Sequence, residues 1–223
     1  MKIIVFFIFL IVSTAAFAQN QALNQLVYEI RNPQTDAVHF RCALEKIGEY
    51  LALSVLEELR TTEATLETLT GGVATHNLLE ENPVLITILR AGLPLNNGVQ
   101  KVFPSAEVGF LAMARDEETM RARVDYIAIP DLEGRCVILT DTMLATGGSL
   151  CDAIKIVEKY GPKKIYVITA NAAQPGIDRI LRLNPSIKIF AAAIDPSLND
   201  KGYIMPGLGD AGDRCYGKKH VAE

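Results

Sequence analysis

The residues best suited to chemistry lie in the middle of the chain, where residues 137–150 read VILTDTMLATGGSL. An apolar run is followed by an acid, Asp141, and then by a loop of small residues that includes Gly147 and Gly148. Glycines let the backbone approach an anion closely, and the free N–H groups at a helix N-terminus favour negative charge. Asp141 is placed to accept hydrogen bonds from ribose hydroxyls. The segment therefore predicts a sugar-phosphate site, although a simple tight turn between a strand and a helix also fits it.

Two arginines follow apolar runs in the same way. Arg90 comes after VLITIL at 84–89, and Arg115 comes after VGFLAMA at 108–114. In open α/β sheets, ligands bind beyond the carboxyl ends of the strands. Arg90, Arg115 and Asp141 are therefore expected to meet at one edge of a sheet, where the arginines would bind anionic groups. Taken singly, each arginine could equally be a solvated side chain beside a turn.

The C-terminal part of the chain is rich in glycine, with four glycines between Gly202 and Gly212. Such a composition is unfavourable for a helix or a strand. A loop of this kind can present backbone N–H and C=O groups to a flat polar ligand, and a planar base would suit it. The alternative is a flexible tail.

The rest of the chain predicts the elements that would position these residues. Strand-like and helix-like segments alternate from residue 84 to residue 194, and the strands are continuous apolar runs. This pattern predicts an α/β fold with a mostly parallel central sheet and helices on both faces.

The segments outside this alternation are less uniform. Residues 20–60 have a helical pattern with a break, after which Thr35 or Asp36 would cap the second helix. Residues 61–82 fit either short strands or a loop with a helix. Residues 115–123 fit the tip of a two-stranded arm.

Composition limits the possible functions and locations. The formal net charge of −4 gives no indication of nucleic-acid binding, and the four cysteines show neither a CxxC pair nor a zinc-site spacing. Buried or half-buried thiols are therefore expected. Residues 1–18 have the layout of a secretory signal peptide, but the apolar run is short for a membrane span, and no stable membrane association is expected. Residues 19–223 are expected to form a single domain.

Together these segments resemble the uracil phosphoribosyltransferase family over roughly residues 19–219. The resemblance is carried by ILRAGLP at 88–94, ARDEET at 114–119, DTMLATGGS at 141–149 and YIMPGLGDAGDRCYGKK at 203–219. It implies a type I phosphoribosyltransferase-like fold, with a small hood from the N-terminal helix and the C-terminal loop, and a β-arm. It also implies synthesis of UMP and diphosphate from uracil and 5-phospho-α-D-ribose 1-diphosphate.

The resemblance assigns roles to the candidate residues. Arg90 and Arg115 would bind the diphosphate and act in catalysis, and Asp210 would lie close to both substrates as a further catalytic candidate. Backbone groups of Ile204, Gly209 and Ala211 would bind uracil beside Asp210. The ribose and its 5-phosphate would be held by one continuous segment: Asp141, Thr142, Met143, Leu144, Ala145, Thr146, Gly147, Gly148 and Ser149.

The resemblance also implies cofactors and partners. Mg²⁺ would be bound mainly through the substrate diphosphate, which suits a hard cation, and no dedicated protein ligands are expected. Some members of the family respond to GTP, so GTP is a candidate allosteric activator. The family is typically oligomeric, which implies a homodimer or a larger homo-oligomer.

One position departs from the family pattern. The family usually has a proline after the ribose-binding acid, and this chain has Thr142. Proline fixes φ, so its replacement is expected to weaken preorganisation of the segment without abolishing activity.

Two other functions fit parts of the pattern. A phosphoribosyltransferase for a purine base would share the 141–149 segment, but it would normally carry a second acid at the position of Thr140 and lack the glycine-rich tail. A non-catalytic pyrimidine-nucleotide-sensing regulator on the same fold is the other alternative. The acidic net charge and the intact arginines and acid argue against it.

The proposed substrate and the signal-like segment point to different compartments. Phosphoribosyl diphosphate is an intracellular metabolite, and an exported enzyme would lack it. The cytoplasm is therefore the expected location, with residues 1–18 as an upstream extension or an atypical anchor. Export, or anchoring through residues 1–18, is the alternative.

Overall fold

The computed structural model describes residues 21–115 and 122–219, so the signal-like segment 1–18 lies outside the described residues. Within the described residues, no helix combines the length and the apolar character needed to cross a membrane. The elements are α1 (Gln21–Arg31), α2 (Ala37–Leu56), β1 (Thr61–Glu67), β2 (Val73–Leu79), β3 (Val84–Leu89), α3 (Gly92–Val102), β4 (Val108–Arg115), β5 (Ala122–Ala128), β6 (Cys136–Thr140), β7 (Met143–Leu144), α4 (Gly148–Glu158), β8 (Lys164–Ala173), α5 (Gln174–Leu183), β9 (Lys188–Asp195), β10 (Ser197–Leu198), β11 (Ile204–Met205) and α6 (Ala211–Tyr216).

A sheet of seven strands forms the centre of the molecule. The order across it is β5–β4–β3–β6–β8–β9, and β7 pairs with β8 in the same register as β6 does. Neighbouring strands run parallel except for the edge pair β4–β5. The predicted mostly parallel sheet is therefore confirmed. In addition, β7 prolongs the line of β6 beyond a break at Asp141 and Thr142.

Both faces of this sheet are buried, which explains the continuous apolar strands. Successive residues of a strand point to opposite faces, so both must be apolar when both faces are covered. Leu85 belongs to the core beneath α2 and α3, whereas Val84 and Ile86 belong to the core beneath α4 and α5. Burial of each such aliphatic side chain contributes about 1.5–3 kcal/mol.

The N-terminal helices follow the predicted pattern. Asp36 caps α2, and its carboxylate accepts hydrogen bonds from the N–H groups of Val38 and His39, each at 2.9 Å. Further along, α2 and α3 cross at a very short distance. A Cβ atom at Gly48 or Gly98 would lie within 2.1 Å of a backbone oxygen of the other helix, so glycine is required at both positions. This crossing fixes α3, whose first turn follows the Arg90 segment.

Three sequence expectations are resolved or corrected. Residues 61–82 contain an antiparallel hairpin of β1 and β2. The two-stranded arm of β4 and β5 is present, but its tip at 116–121 lies outside the described residues. The glycine-rich C-terminal segment was expected to form neither helix nor strand, yet it contains β11 and α6. The short helix forms because Asp210 caps it.

The cysteines are free thiols, and the prediction for them is partly wrong. Cys151 and Cys215 are buried and Cys136 is half-buried, as expected, but Cys42 is exposed on α2.

Candidate active site

Asp141 lies at the break between β6 and β7, at the carboxyl end of a central strand. Its own N–H donates to the carbonyl of Ile168 on β8 at 3.2 Å, so the sheet fixes its backbone. The side chain is half-buried, and its burial raises the pKa of the carboxyl to about 7, against the opposing effect of hydrogen bonds from the N–H groups of Met143 and Thr142. A ligand that donates hydrogen bonds to this carboxylate would favour its ionised form.

The raised pKa of Asp141 predicts a pH-dependent stability. The folded pKa of about 7 lies above the ordinary value of 3.8, so between these values the unfolded chain binds fewer protons and wild-type stability falls as pH rises. Asp141→Asn removes the titration. The variant should therefore be more stable than wild type at pH 8. The full pKa difference would correspond to about 4 kcal/mol, and because solvent reaches the partly exposed carboxyl we expect about 2 kcal/mol. The difference should vanish near pH 4.

Urea unfolding from pH 4 to pH 8 measures this difference. Asp152→Asn is the matched control, because it makes the same substitution at a carboxylate of α4 that is 42% exposed. A stability difference for Asp141→Asn that stays constant with pH would contradict the assignment.

The loop after β7 leads directly into the N-terminus of α4. Gly147 has a positive φ of 75° and stands as the N-cap of α4, where a Cβ atom would lie 3.1 Å from the carbonyl oxygen of Gly176. The N-cap residue offers no capping side chain, the first turn holds no acidic residue, and only a 3.4 Å contact from the N–H of Gly148 to the hydroxyl of Thr146 engages this end. Ser149 is exposed at the same helix start. The N–H groups and the dipole of this eleven-residue helix therefore favour a phosphate at the loop.

The side chains of the 141–149 segment do not all face this loop. Thr142 and Leu144 are buried, and Met143 and Leu144 pair with β8 as the strand β7. Burial excludes the side chains of Thr142 and Leu144 from ligand contact, so any role of these residues toward a ligand belongs to their backbone. Thr146, Gly148 and Ser149 remain accessible.

A residue missed by the sequence interpretation reaches this loop from α5. Arg179 donates a hydrogen bond from Nη1 to the carbonyl oxygen of Thr146 at 3.3 Å. The same guanidinium nitrogen lies near Gly148, since a Cβ atom there would be 3.7 Å from it. Arg179 therefore adds a positive charge to the anion loop. The sequence offered no local signal for it, because α5 reads as an ordinary amphipathic helix.

Arg90 follows β3 and turns toward the C-terminal segment, and the Leu89–Arg90 peptide is cis. Its Nη2 lies 3.6 Å from Oδ1 of Asp213 and donates to the carbonyl oxygen of Gly217 at 3.4 Å. The guanidinium also lies 5.9 Å from the centre of the Tyr216 ring. Arg90 is thereby in contact with the end of the glycine-rich segment, a name used here for residues 202–217.

The second predicted arginine, Arg115, is the last residue of β4, and its backbone pairs with Ala122. Because β4 lies next to β3 and parallel to it, this end of β4 lies at the same edge of the sheet as Arg90. The side chain of Arg115 lies outside the described part of the structure, so its predicted role stays a prediction.

The glycine-rich segment has a defined backbone. Gly207 and Gly209 have positive φ values of 65° and 86°, a conformation that other residues rarely adopt. Asp210 is the N-cap of α6, and its Oδ1 accepts from the N–H of Asp213 at 2.8 Å. Ile204 and Ala211 are buried, whereas Gly209 and Asp210 are exposed. The backbone around Gly209 and Asp210 is thus open to a ligand next to Arg90.

An ion pair between the partly buried Arg31 and the buried Asp195 fixes this segment, and the sequence interpretation missed it. Asp195, at the end of β9, accepts hydrogen bonds from Arg31 of α1 at 2.7 and 3.1 Å. It also accepts from the side chain of Asn171 at 3.1 Å and from the N–H of Gly207 at 3.0 Å. Burial alone would raise the pKa of Asp195, but the hydrogen bonds from Arg31, Asn171 and Gly207 outweigh it and lower the pKa below its ordinary value.

A second arginine joins the same parts of the chain. Arg214 of α6 donates to the carbonyl oxygens of Ile30 and Asn32 at the end of α1, and to that of Leu208. Its guanidinium stacks 4.1 Å from the centre of the Phe40 ring. The expected hood of N-terminal helix and C-terminal segment is therefore present, and Arg31 and Arg214 hold it together.

The site contains no ready-made metal cage. Within residues 21–115 and 122–219, no group of three or more His, Cys, Asp or Glu side chains is placed to hold a metal ion.

Comparisons with known proteins agree on one family. The family model described as "Uracil phosphoribosyltransferase" matches residues 17–218. The chain is similar to the uracil phosphoribosyltransferase of Mycoplasma capricolum subsp. capricolum, with 38% identity over 192 residues, 85% of this chain and 92% of that protein. It is 40% identical to that of Aquifex aeolicus over 186 residues, 83% of this chain and 89% of that protein.

Solved structures agree in fold. A structure of a protein from Aquifex aeolicus superposes with a TM-score of 0.83 at 38% identity, covering 89% of this chain and 95% of that one. A structure of a Thermus thermophilus protein shares the fold alone, with a TM-score of 0.50 at 15% identity, covering 77% of this chain and 93% of that one.

Proposed function

Because the chain belongs to the uracil phosphoribosyltransferase family, we propose that it converts uracil and 5-phospho-α-D-ribose 1-diphosphate to UMP and diphosphate. One observation carries this assignment to the chain's own residues. Arg90, next to the ribose-phosphate segment at 141–149, reaches the glycine-rich segment that would bind the base. In this proposal, the groups that would bind the diphosphate, the ribose phosphate and the planar base share one edge of the sheet.

In the proposed reaction, N1 of uracil forms a bond to C1 of the ribose while the bond from C1 to the diphosphate oxygen breaks. Diphosphate leaves with the electron pair of that bond, and the N1 proton is released. Positive charge develops on the ribose ring and negative charge on the leaving group. Arg90, and by family resemblance Arg115, would stabilise the leaving charge, and such preorganised electrostatic contacts are usually a large part of catalysis.

No histidine is placed as a strong general base in the described part of the site. His39 is exposed beside Asp36, and His76 lies on the β1–β2 hairpin. We assign Asp210 the role of orienting the base, since it is exposed at the start of α6 and fixed there by its hydrogen bond from Asp213. Binding both substrates at one edge supplies the orientation that a bimolecular reaction otherwise lacks.

The residues fit a cation that is held mainly by substrate. Mg²⁺ prefers octahedral oxygen ligands and is usually bound through substrate phosphates with one or two carboxylates. Asp141 is the carboxylate that we assign to the ribose end of the site, and its side chain is partly accessible there. When bound, Mg²⁺ would neutralise charge on the diphosphate.

The deciding experiment is an assay of UMP formation with uracil, phosphoribosyl diphosphate and Mg²⁺, with and without GTP. We expect UMP and diphosphate in equal amounts. Hypoxanthine and guanine in place of uracil should give no nucleotide. Product with a purine only would replace the assignment with a purine phosphoribosyltransferase, and binding of UMP without turnover would favour a regulator.

We also propose a homo-oligomer that acts in the cytoplasm. The β1–β2 hairpin exposes Leu66, Leu69, Val73 and Leu78, and exposed apolar side chains of this size are typical of association surfaces. A phosphoribosyl diphosphate donor supports the cytoplasm as the location. N-terminal sequencing of the native protein tests this, because a mature periplasmic chain that begins near residue 19 would contradict it.

A further inference from the structure

We propose that Thr142 is a positioning residue that holds the diphosphate segment (residues 90–94) against the ribose-phosphate segment (residues 141–149) through a hydrogen bond from its hydroxyl. The inference rests on the proposed function, because it assigns a role within that site. Thr142 does not contact substrate through its side chain in this role.

The hydroxyl of Thr142 has one well-placed partner. Its Oγ1 donates to the carbonyl oxygen of Ala91 at 2.6 Å, and the Thr142 side chain is fully buried. Ala91 lies between Arg90 and the first residue of α3. The hydrogen bond therefore fixes the peptide between Ala91 and Gly92, which directly follows Arg90.

The other side of Thr142 is held by the sheet. Its carbonyl oxygen accepts from the N–H of Asn171 at 3.1 Å and from the hydroxyl of Thr169 at 3.1 Å. Both donors lie on β8, which is paired on both sides. The backbone of Thr142 is thus fixed by β8. Its hydrogen bond to Ala91 therefore holds the diphosphate segment at a fixed position relative to the sheet.

The two segments are packed closely enough for one hydrogen bond to matter. A Cβ atom at Gly92 would lie 2.8 Å from the carbonyl oxygen of Thr140 and 3.5 Å from Cα of Asp141. The segment at 90–94 has no room to shift toward the sheet. Without the Thr142 hydroxyl it would be free to move only outward, which would carry Arg90 away from the diphosphate.

Proline and threonine would preorganise this position by different means. Proline restricts φ but has no donor for the carbonyl of Ala91. Threonine does not fix φ, but its hydroxyl links the 141–149 segment to the carbonyl oxygen of Ala91 in the 90–94 segment. A proline at this position would restrict only the 141–149 segment itself. The threonine hydrogen bond instead restricts the position of the 141–149 segment relative to the 90–94 segment.

The test compares variants that separate the hydroxyl from the volume of the side chain. Thr142→Val removes the hydroxyl at constant shape, Thr142→Ser keeps it, and Thr142→Pro restricts φ without a donor. Thr87→Val is the matched control, because the hydroxyl of Thr87 is buried in the same region, without a hydrogen-bond partner among the described residues. Thr142→Ala replaces the valine variant if that protein does not fold.

We expect Thr142→Val to raise the KM for phosphoribosyl diphosphate about tenfold, because a displacement of 1 Å in a positioning group costs up to about 10²-fold in rate. The KM for uracil at saturating donor should change less than about threefold. Thr142→Ser should restore most of the loss, and Thr142→Pro should not. Equal changes in both KM values, or the same change in Thr87→Val, would overturn the proposal.

Hydrogen exchange provides a readout that does not depend on turnover. Amide exchange in residues 90–93 of the ligand-free protein should be faster in Thr142→Val than in wild type, and unchanged in Thr142→Ser and Thr87→Val. Unchanged exchange in Thr142→Val would also overturn the proposal. If wild type makes no UMP, the proposed function fails, while the exchange result still decides whether Thr142 holds the segment.

Discussion

Replacing Arg90 with alanine should lower kcat/KM for phosphoribosyl diphosphate by about 10²–10³-fold, the scale lost with one preorganised charge-stabilising group. Arg90 directly follows the central strand β3, and its guanidinium contacts Asp213 and Gly217 of the C-terminal segment. Among the described residues, Arg90 is the only cationic side chain between the end of β3 and the start of α3. Steady-state kinetics with the donor varied at saturating uracil measure the effect.

The contact that Arg90 makes without ligand is weak enough to be exchanged for a diphosphate. Its distance to Asp213 is 3.6 Å, and the side chains are 40% and 34% exposed. Ion pairs of this kind contribute about 0–1 kcal/mol. A multiply charged diphosphate with bidentate geometry offers Arg90 a stronger partner.

Arg90→Lys is the control for this prediction. Lysine keeps the charge but loses the planar fork, so we expect it to recover part of the activity and to remain about tenfold below wild type. Thermal unfolding should be nearly unchanged in both variants, because Arg90 is exposed. Kinetics of Arg90→Ala within threefold of wild type would remove Arg90 from the site.

The sheet and the edge that carries the site could be predicted because their signals are local. A strand buried on both faces must be apolar at every position, and β3 and β6 read as unbroken apolar runs. Charged residues directly after such runs must lie at the carboxyl edge. Arg90 and Asp141 were therefore located from the sequence alone, and the structure places them at that edge.

The contacts that shape the site could not be predicted because they join residues far apart in sequence. Arg31 and Asp195 are separated by 164 positions, and no sequence pattern near either residue predicts the other as its partner. Arg179 reaches the loop from a helix that has an ordinary pattern. The hairpin of β1 and β2 was ambiguous because its strands are exposed and rich in Thr and Glu, so they lack an apolar periodicity.

The Arg31–Asp195 pair is expected to have the largest effect on stability. Removing one partner of a fully buried ion pair costs about 3–5 kcal/mol. The Arg31 side chain is 24% exposed, which places this pair at the lower end of that range. Asp195→Ala removes the acceptor for Arg31, Asn171 and the N–H of Gly207 together. We therefore expect a loss of about 3 kcal/mol or more in urea unfolding at pH 7.

The same change should weaken uracil binding more than donor binding. Gly207 is held on both sides by this pair, since its N–H donates to Asp195 and its carbonyl accepts from Arg31 at 3.2 Å. Without the pair, the glycine-rich segment loses its attachment to β9. The KM for uracil should rise several-fold more than the KM for phosphoribosyl diphosphate.

A double-mutant cycle separates the pair from general loosening of the fold. Arg31→Ala combined with Asp195→Ala should cost less than the sum of the single changes, because the double variant leaves no unpaired charge. Asp152→Ala removes a carboxylate from the exposed pair with Lys155 and should cost less than about 1 kcal/mol. Additive single changes would show that Arg31 and Asp195 stabilise the hood independently, and the ion pair would then not be what holds the glycine-rich segment.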